Sequence, residues 1–323
     1  MYRPLFAFLV LLTICPLSAA RAAEIPPPAA SDRLDDAQAL AVLDFWTEQR
    51  LQQAWNLDAF PGQPVAPVIG VGADGSGYTP AVSPYQQHSD TRVVGTLVYR
   101  QPGVGEGLSH CTAAVIAAGS ESLVVTAAHC VSGRGQWFDQ LMFIPAFQAD
   151  PADAQAARAP LGRWPVQQVF IPRLGADSSA DDDIAVARVM VHTPATLPAL
   201  CTAPRCTLQS VVGDAFEAQV SLHELPALVA VLGYPASDQQ GAPYPFASLR
   251  YCIGRAEQDE LSAALRLSGC ATQVGNSGGP VIALDPRAEG ARRVWAVVHD
   301  TAVHARLRAA TFGPVFEMAD SAW

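Results

Sequence analysis

Charge is scarce in this chain. Asp, Glu, Lys and Arg make up 15% of its 323 residues, against 50% hydrophobic ones. That balance excludes general disorder and supplies apolar surface for a large core. There is no long basic run and the net charge is −10, so nucleic acid is not an expected partner. There is no Cys-x-x-Cys, and the histidines do not fall at ligand spacing, so neither a metal centre nor another cofactor is expected. No run reaches the roughly 20 apolar residues that a membrane span takes. Repeated helical segments do not alternate with the strand-length runs, and no internal repeat is visible.

What is present begins at the N-terminus. Arg3 gives a positive start, Leu5 to Leu17 is apolar, and Ala20-Arg21-Ala22 has the small-x-small form of a cleavage site. This is a signal peptide over residues 1–22, which predicts a secreted or periplasmic protein with no stable membrane association after cleavage. Removing Cys15 with the leader leaves Cys111, Cys130, Cys201, Cys206, Cys252 and Cys270. Six cysteines in an exported chain read as three disulfides, although six allow 15 connectivities.

Residues 23–90 read as a prosegment and linker. Leu40, Leu43, Trp46, Leu51 and Trp55 recur at loosely helical spacing, with polar residues between them, which predicts one amphipathic helix over 34–57. Ten Pro and Gly positions from Pro61 to Pro84 then argue against regular structure over 58–90. From Val93 the pattern changes to short runs rich in Val and Ile, among them Val93–Tyr99, Leu123–Ala127, Ile184–Val191 and Val294–His299. Such runs predict an antiparallel all-β body over 91–323, built as barrels or a sandwich.

Three segments carry chemistry. Thr126-Ala127-Ala128-His129-Cys130 ends a strand on a histidine, Asp183-Ile184-Ala185-Val186 begins one on an aspartate, and Gly275-Asn276-Ser277-Gly278-Gly279-Pro280 rings a serine with glycines. A serine hydroxyl needs a base within hydrogen-bond reach, and the base needs an acid to fix its tautomer. His129, Asp183 and Ser277 can fill these roles. Gly275 lets the backbone turn so that its amide and that of Ser277 can face one oxyanion. Losing one such donor costs about 3–4 kcal/mol of transition-state stabilisation. The order His, Asp, Ser disfavours an esterase of the α/β-hydrolase kind, whose acid and histidine follow the serine.

Together these motifs resemble the chymotrypsin-like serine peptidases over roughly residues 90–318. The resemblance implies two antiparallel six-stranded β-barrels, preceded here by a short helical prosegment, with the triad between them. It implies a Cys111–Cys130 bridge beside the histidine, worth about 3 kcal/mol in the chain-entropy model, and bridges Cys252–Cys270 and Cys201–Cys206. In the pancreatic branch an aspartate before the serine pairs with a new N-terminus released by cleavage; Asn276 has no charge and cannot. Arg92-Val93-Val94-Gly95 looks like such an activation site but reads as part of a barrel strand. Trp46-Thr47-Glu48-Gln49-Arg50, Gly233-Tyr234-Pro235-Ala236 and Phe312-Gly313-Pro314-Val315-Phe316 are similar to secreted bacterial peptidases related to glutamyl endopeptidases. That likeness puts Ala271 at the base of the primary pocket, with Thr272 and His299 placed to hydrogen-bond a substrate carboxylate. The preference stays open between glutamate and small or apolar residues. The expected function is a secreted monomeric serine endopeptidase acting on proteins or peptides, made as a zymogen. The alternative is an exported, catalytically inactive homologue that binds proteins.

Overall fold

The computed structural model describes residues 27–55, 74, 76–150, 153–174, 179–220, 225–260, 262–284 and 292–322. The expected signal peptide and most of the first half of the linker lie outside them.

Six strands close the first barrel: β1 (Val94–Arg100), β2 (Leu108–Ile116), β3 (Leu123–Thr126), β4 (Asp139–Pro145), β5 (Trp164–Ile171) and β6 (Ala185–Val189). They pair antiparallel in the circular order β1-β2-β3-β6-β5-β4. β3 and β6 are buried along their whole length. Both of their faces are covered, which is why they read as continuous apolar runs and not as alternation.

The second barrel is β7 (Leu228–Gly233), β8 (Arg250–Gln258), β9 (Leu265–Ser268), β10 (Pro280–Ala283), β11 (Arg293–Val298) and β12 (Val303–Arg306). Its circular order, β7-β8-β9-β12-β11-β10, repeats that of the first. The chain therefore holds a structural repeat where the sequence shows none. Topology is duplicated while the packed residues are not, so no residue period survives to be read.

The helix expected over 34–57 is two helices, α1 (Asp36–Phe45) and α2 (Glu48–Trp55). Asp35 and Gln38 form a capping box at the start of α1. The chain turns at Trp46, whose indole donates to the Gln140 carbonyl at 2.5 Å. Thr47 then caps α2 through its hydroxyl, which accepts from the Arg50 amide, and Arg50 returns a guanidinium bond of 2.6 Å to the Phe45 carbonyl. The Trp-Thr-x-x-Arg stretch is thus a helix–helix corner. The break resets the helical phase: Ala39, Val42, Trp46, Leu51, Ala54 and Trp55 are buried, while Leu40 and Leu43 are only half-buried. Val42, Trp46, Leu51, Ala54 and Trp55 belong to the same core as β1 to β6, and packing continues through Tyr85 and Val93 across the expected boundary at 90. Ala29–Ala30 pairs with Phe170 and Ile171 of β5, covering an edge that β4 leaves open.

The punctuated stretch 76–92 is more ordered than its composition suggests. Thr79–Pro80 pairs with β8, Tyr85–Gln87 forms a 3-10 turn, and Ser89–Arg92 one helical turn. A C-terminal helix, α3 (Phe312–Ser321), closes the chain on the first barrel. The Asp320 carboxylate accepts from the amides of Gly119 and Ser120, and Arg188 donates to the Ala319 and Ala322 carbonyls. No described helix is long and apolar enough to cross a membrane.

Candidate active site

Register brings Asp183 to His129. β3 and β6 pair with Ala185 opposite Thr126, so the residues just before β6 lie beside those just after β3. His129 sits in the turn Ala128–Cys130, and the Cys111–Cys130 disulfide ties that turn to β2. The fully buried Asp183 accepts from the His129 amide through Oδ1 (2.9 Å) and from His129 Nδ1 through Oδ2 (2.7 Å). Two bonds from one residue fix both the position and the tilt of the ring, and leave Nε2 turned away from the aspartate.

The serine arrives on the second barrel, in the loop between β9 and β10. The Thr112 amide of β2 donates to the Ser277 carbonyl at 2.8 Å, and the Gly278 amide donates to Val298 at 2.8 Å. Gly278 has φ 78°, and a Cβ there would lie 2.0 Å from Thr126 Oγ1 and 2.4 Å from the Thr112 carbonyl. Only glycine lets the serine loop dock this closely on β2 and β3, next to the histidine turn. Ser277 itself is half-buried. Among the described residues no hydrogen bond joins its hydroxyl to His129 Nε2; such bonds are commonly long until substrate fills a site.

The two amides flanking Asn276 have defined directions. The Val274 carbonyl accepts from Ala236 and the Asn276 carbonyl from Gly279, each at 2.8 Å. Across a planar trans peptide the next N–H points the opposite way. The Gly275 and Ser277 amides are therefore turned away from Ala236 and Gly279. Gly275 has φ 89°, and its carbonyl is held by the Thr112 hydroxyl at 2.9 Å.

His299 directly follows β11, and its Nδ1 lies 2.6 Å from the same Asp183 Oδ2 that holds His129. Two imidazoles share one carboxylate oxygen, with the rings edge-to-face at 5.9 Å. Burial pushes the Asp183 carboxyl up, but the two imidazoles outweigh it and hold it well below the usual carboxylate range. Burial pushes His299 down, and the carboxylates of Asp183 and Asp300 more than offset this, so its pKa is raised. Of the pocket residues expected from sequence, Ala271 and Thr272 are buried. The Thr272 hydroxyl donates to the Asp300 carbonyl. His129, Asp183 and His299 present ligand atoms close enough for one metal ion; holding it would displace the hydrogen bonds that now join them.

Several residues here had no motif to announce them. His110 is buried with Nδ1 2.9 Å from the Ala54 carbonyl and Nε2 3.0 Å from the Tyr234 carbonyl, and its ring stacks on Trp55 at 3.8 Å. The Asn276 side-chain amide, fully buried, donates to the Tyr78 hydroxyl at 2.7 Å. His304, on β12, is fully buried as well. The adjacent Cys111 was the only sequence signal near His110, and Tyr78 and His304 had none. The other two disulfides are Cys201–Cys206 and Cys252–Cys270.

A family model described as Trypsin matches residues 83–299. The chain belongs to the trypsin family. It is similar in fold to a thermostable serine protease, AL20, from an extremophilic microorganism, with 20% identity and a TM-score of 0.56 over 72% of this chain and 100% of that one. It is also similar to the protease Anisep from Arthrobacter nicotinovorans, at 20% identity and a TM-score of 0.55 over 72% and 98% of the two chains. A Glu endopeptidase matches at 16% identity and a TM-score of 0.52 over 78% and 99%. No curated protein matches. As a trypsin-family member built on two barrels, this is a serine peptidase, a hydrolase acting on protein or peptide substrates.

Proposed function

We propose that this peptidase is an exported monomeric endopeptidase working through Ser277, His129 and Asp183 by way of an acyl-enzyme. The observation that carries the reading is the double hold of Asp183 on His129, through ring and amide, beside the serine loop. His129 Nε2 takes the Ser277 proton as the hydroxyl attacks the peptide carbonyl. Asp183, held ionised, fixes the tautomer and stabilises the imidazolium that forms. The Gly275 and Ser277 amides receive the oxyanion. His129 then protonates the leaving amine, and water hydrolyses the ester by the same steps in reverse. An inactive binding homologue would lack one of these groups, and all three are present.

Export is supported by the N-terminal leader pattern and by three disulfides, which suit an oxidising compartment. Within the prosegment and linker read over residues 23–90, residues 27–55 act in this reading to brace the first barrel while it forms. For the primary preference, we place recognition of an acidic side chain on His299. Its Nδ1 is engaged by Asp183, which favours the charged ring and leaves Nε2 to donate. Thr272, with its hydroxyl already given to Asp300, supports the pocket wall.

A peptide library incubated with the purified protein, with Ser277→Ala beside it, tests both parts. Cuts after glutamate that vanish in the variant are expected. Cuts after small or apolar residues would keep the triad and remove the acid-reading role of His299. Equal cutting by both forms would refute the assignment.

A further inference from the structure

Asn276 stands where the pancreatic branch carries the aspartate that an ammonium from a released N-terminus must hold. Its partner here is a phenol from upstream in the same chain. Tyr78 is fully buried in the second barrel among Val229, Val231, Cys252 and Val281, and receives the Asn276 amide at 2.7 Å. Two residues earlier, the Ser76 carbonyl accepts from the amide of Ala271, at the other end of the serine loop, at 3.2 Å. The segment therefore touches both ends of the stretch 271–276 that leads to the nucleophile.

That segment is itself pinned. Asp74 Oδ1 accepts from the amides of Ser76 (2.9 Å) and Tyr78 (3.0 Å), and Oδ2 accepts the Tyr244 hydroxyl at 2.6 Å. Ser76 Oγ accepts from the Gln239 amide at 2.8 Å. Thr79–Pro80 continues into a pairing with β8. By contrast, the tempting cleavage point after Arg92 is closed: Val93 is fully buried and its carbonyl accepts from Val115 at 2.8 Å.

We infer that Tyr78 is a positioning residue that acts through Asn276 to set the Gly275 and Ser277 amides, and that the chain is competent without a cut between Tyr78 and β1. The inference rests on the serine-peptidase reading above. Asn276 lies between the two amides, so its side chain is the shortest lever on both. A hydroxyl built into the chain does continuously what a released ammonium would do only after cleavage.

Three measurements test this on the full-length chain. First, fluorophosphonate-labelled protein is mapped by mass: Tyr78 and Ser277 are expected in one unbroken polypeptide. Labelling only of species that begin after residue 78 overturns the inference. Second, Tyr78→Phe is compared with Tyr244→Phe, which removes a hydroxyl from the same cluster without touching Asn276. Tyr78→Phe should lower kcat and the labelling rate about tenfold or more, part of the roughly 100- to 1,000-fold that outright loss of an oxyanion donor costs, with KM within about threefold. Tyr244→Phe, which loosens Asp74 but leaves the Tyr78–Asn276 bond in place, should lower kcat much less. Equal kcat in Tyr78→Phe and wild type, or equal losses in the two variants, overturns it. Third, Tyr78→Phe made in an Asn276→Ala background should cost no further kcat, since the route is gone; additive losses refute the route and hold even if one variant is less stable. A wild-type protein with no Ser277-dependent labelling would instead sink the underlying reading.

Discussion

His304 offers a test of the second barrel that does not depend on catalysis. It is fully buried on β12, paired with Leu265 on β9 and with Val298 on β11, and neither ring nitrogen has a partner among the described residues. Burial, with a smaller push from His299, lowers its pKa to about 4 against the opposing pull of Asp300. An unfolded histidine titrates near 6.5. Between about 6.5 and about 4 the unfolded chain therefore holds a proton that the native protein refuses. A depressed histidine gives its full stability above the unfolded value and loses it as pH falls through that window. At about 1.4 kcal/mol per pH unit, the loss reaches about 2.5 kcal/mol at pH 4.5. His304→Leu removes the titration while keeping a side chain of similar size. Urea unfolding of both forms, in a Ser277→Ala background to prevent self-digestion, should show the variant gaining about 2.5 kcal/mol relative to its parent between pH 7.5 and 4.5. A gap that does not change with pH would refute the reasoning and mean that His304 is protonated or solvated in the native state.

Other consequences can be measured directly. Gly278→Ala places a methyl against the Thr112 carbonyl and Thr126 hydroxyl at positive φ; kcat/KM should fall about 100-fold, as ångström-scale misplacement of a reacting group does, and unchanged kinetics would show that the loop is not pressed on β2. Replacing Cys111 and Cys130 by alanine opens a loop of 19 residues, and chemical unfolding should report a loss of about 3 kcal/mol. His299→Leu removes an imidazole whose pKa is raised in the fold. That contribution is complete below the unfolded value and fades as pH rises through the folded one. The variant should therefore be less stable than wild type by about 1–3 kcal/mol at pH 6 and by less at pH 9; the reverse trend would place the charge elsewhere.

The legible parts of this molecule are those where one local pattern has one physical cause. Runs such as Leu123–Thr126 and Ala185–Val189 read as strands because both faces are covered. The three chemical motifs could be ordered because each sits at a strand end, where the chain is free to present a side chain. The helical region was legible as amphipathic, but its break at Trp46–Thr47 was not, since capping by Thr47 and the Arg50 bond to Phe45 depend on the chain turning there. The duplicated strand order was invisible because hydrogen-bonded topology leaves no residue period. Tyr78 and His304 were unreadable for a related reason: a lone tyrosine in a Pro/Gly-rich stretch, or a histidine in a short strand, gains its meaning from partners far away in the chain. The contact of His299 with Asp183 was not legible either, because it arises only where the end of β11 meets the start of β6 across the two barrels.

In the proposed mechanism Ser277 is a nucleophile activated by His129 and Asp183. The most direct measurement is covalent labelling of the purified protein by a fluorophosphonate, located by peptide mass, in wild type, His129→Ala and Asp183→Asn. Labelling confined to Ser277, and slowed by orders of magnitude in both variants, is the expected result. A label on another residue, or equal labelling of all three proteins, would contradict it.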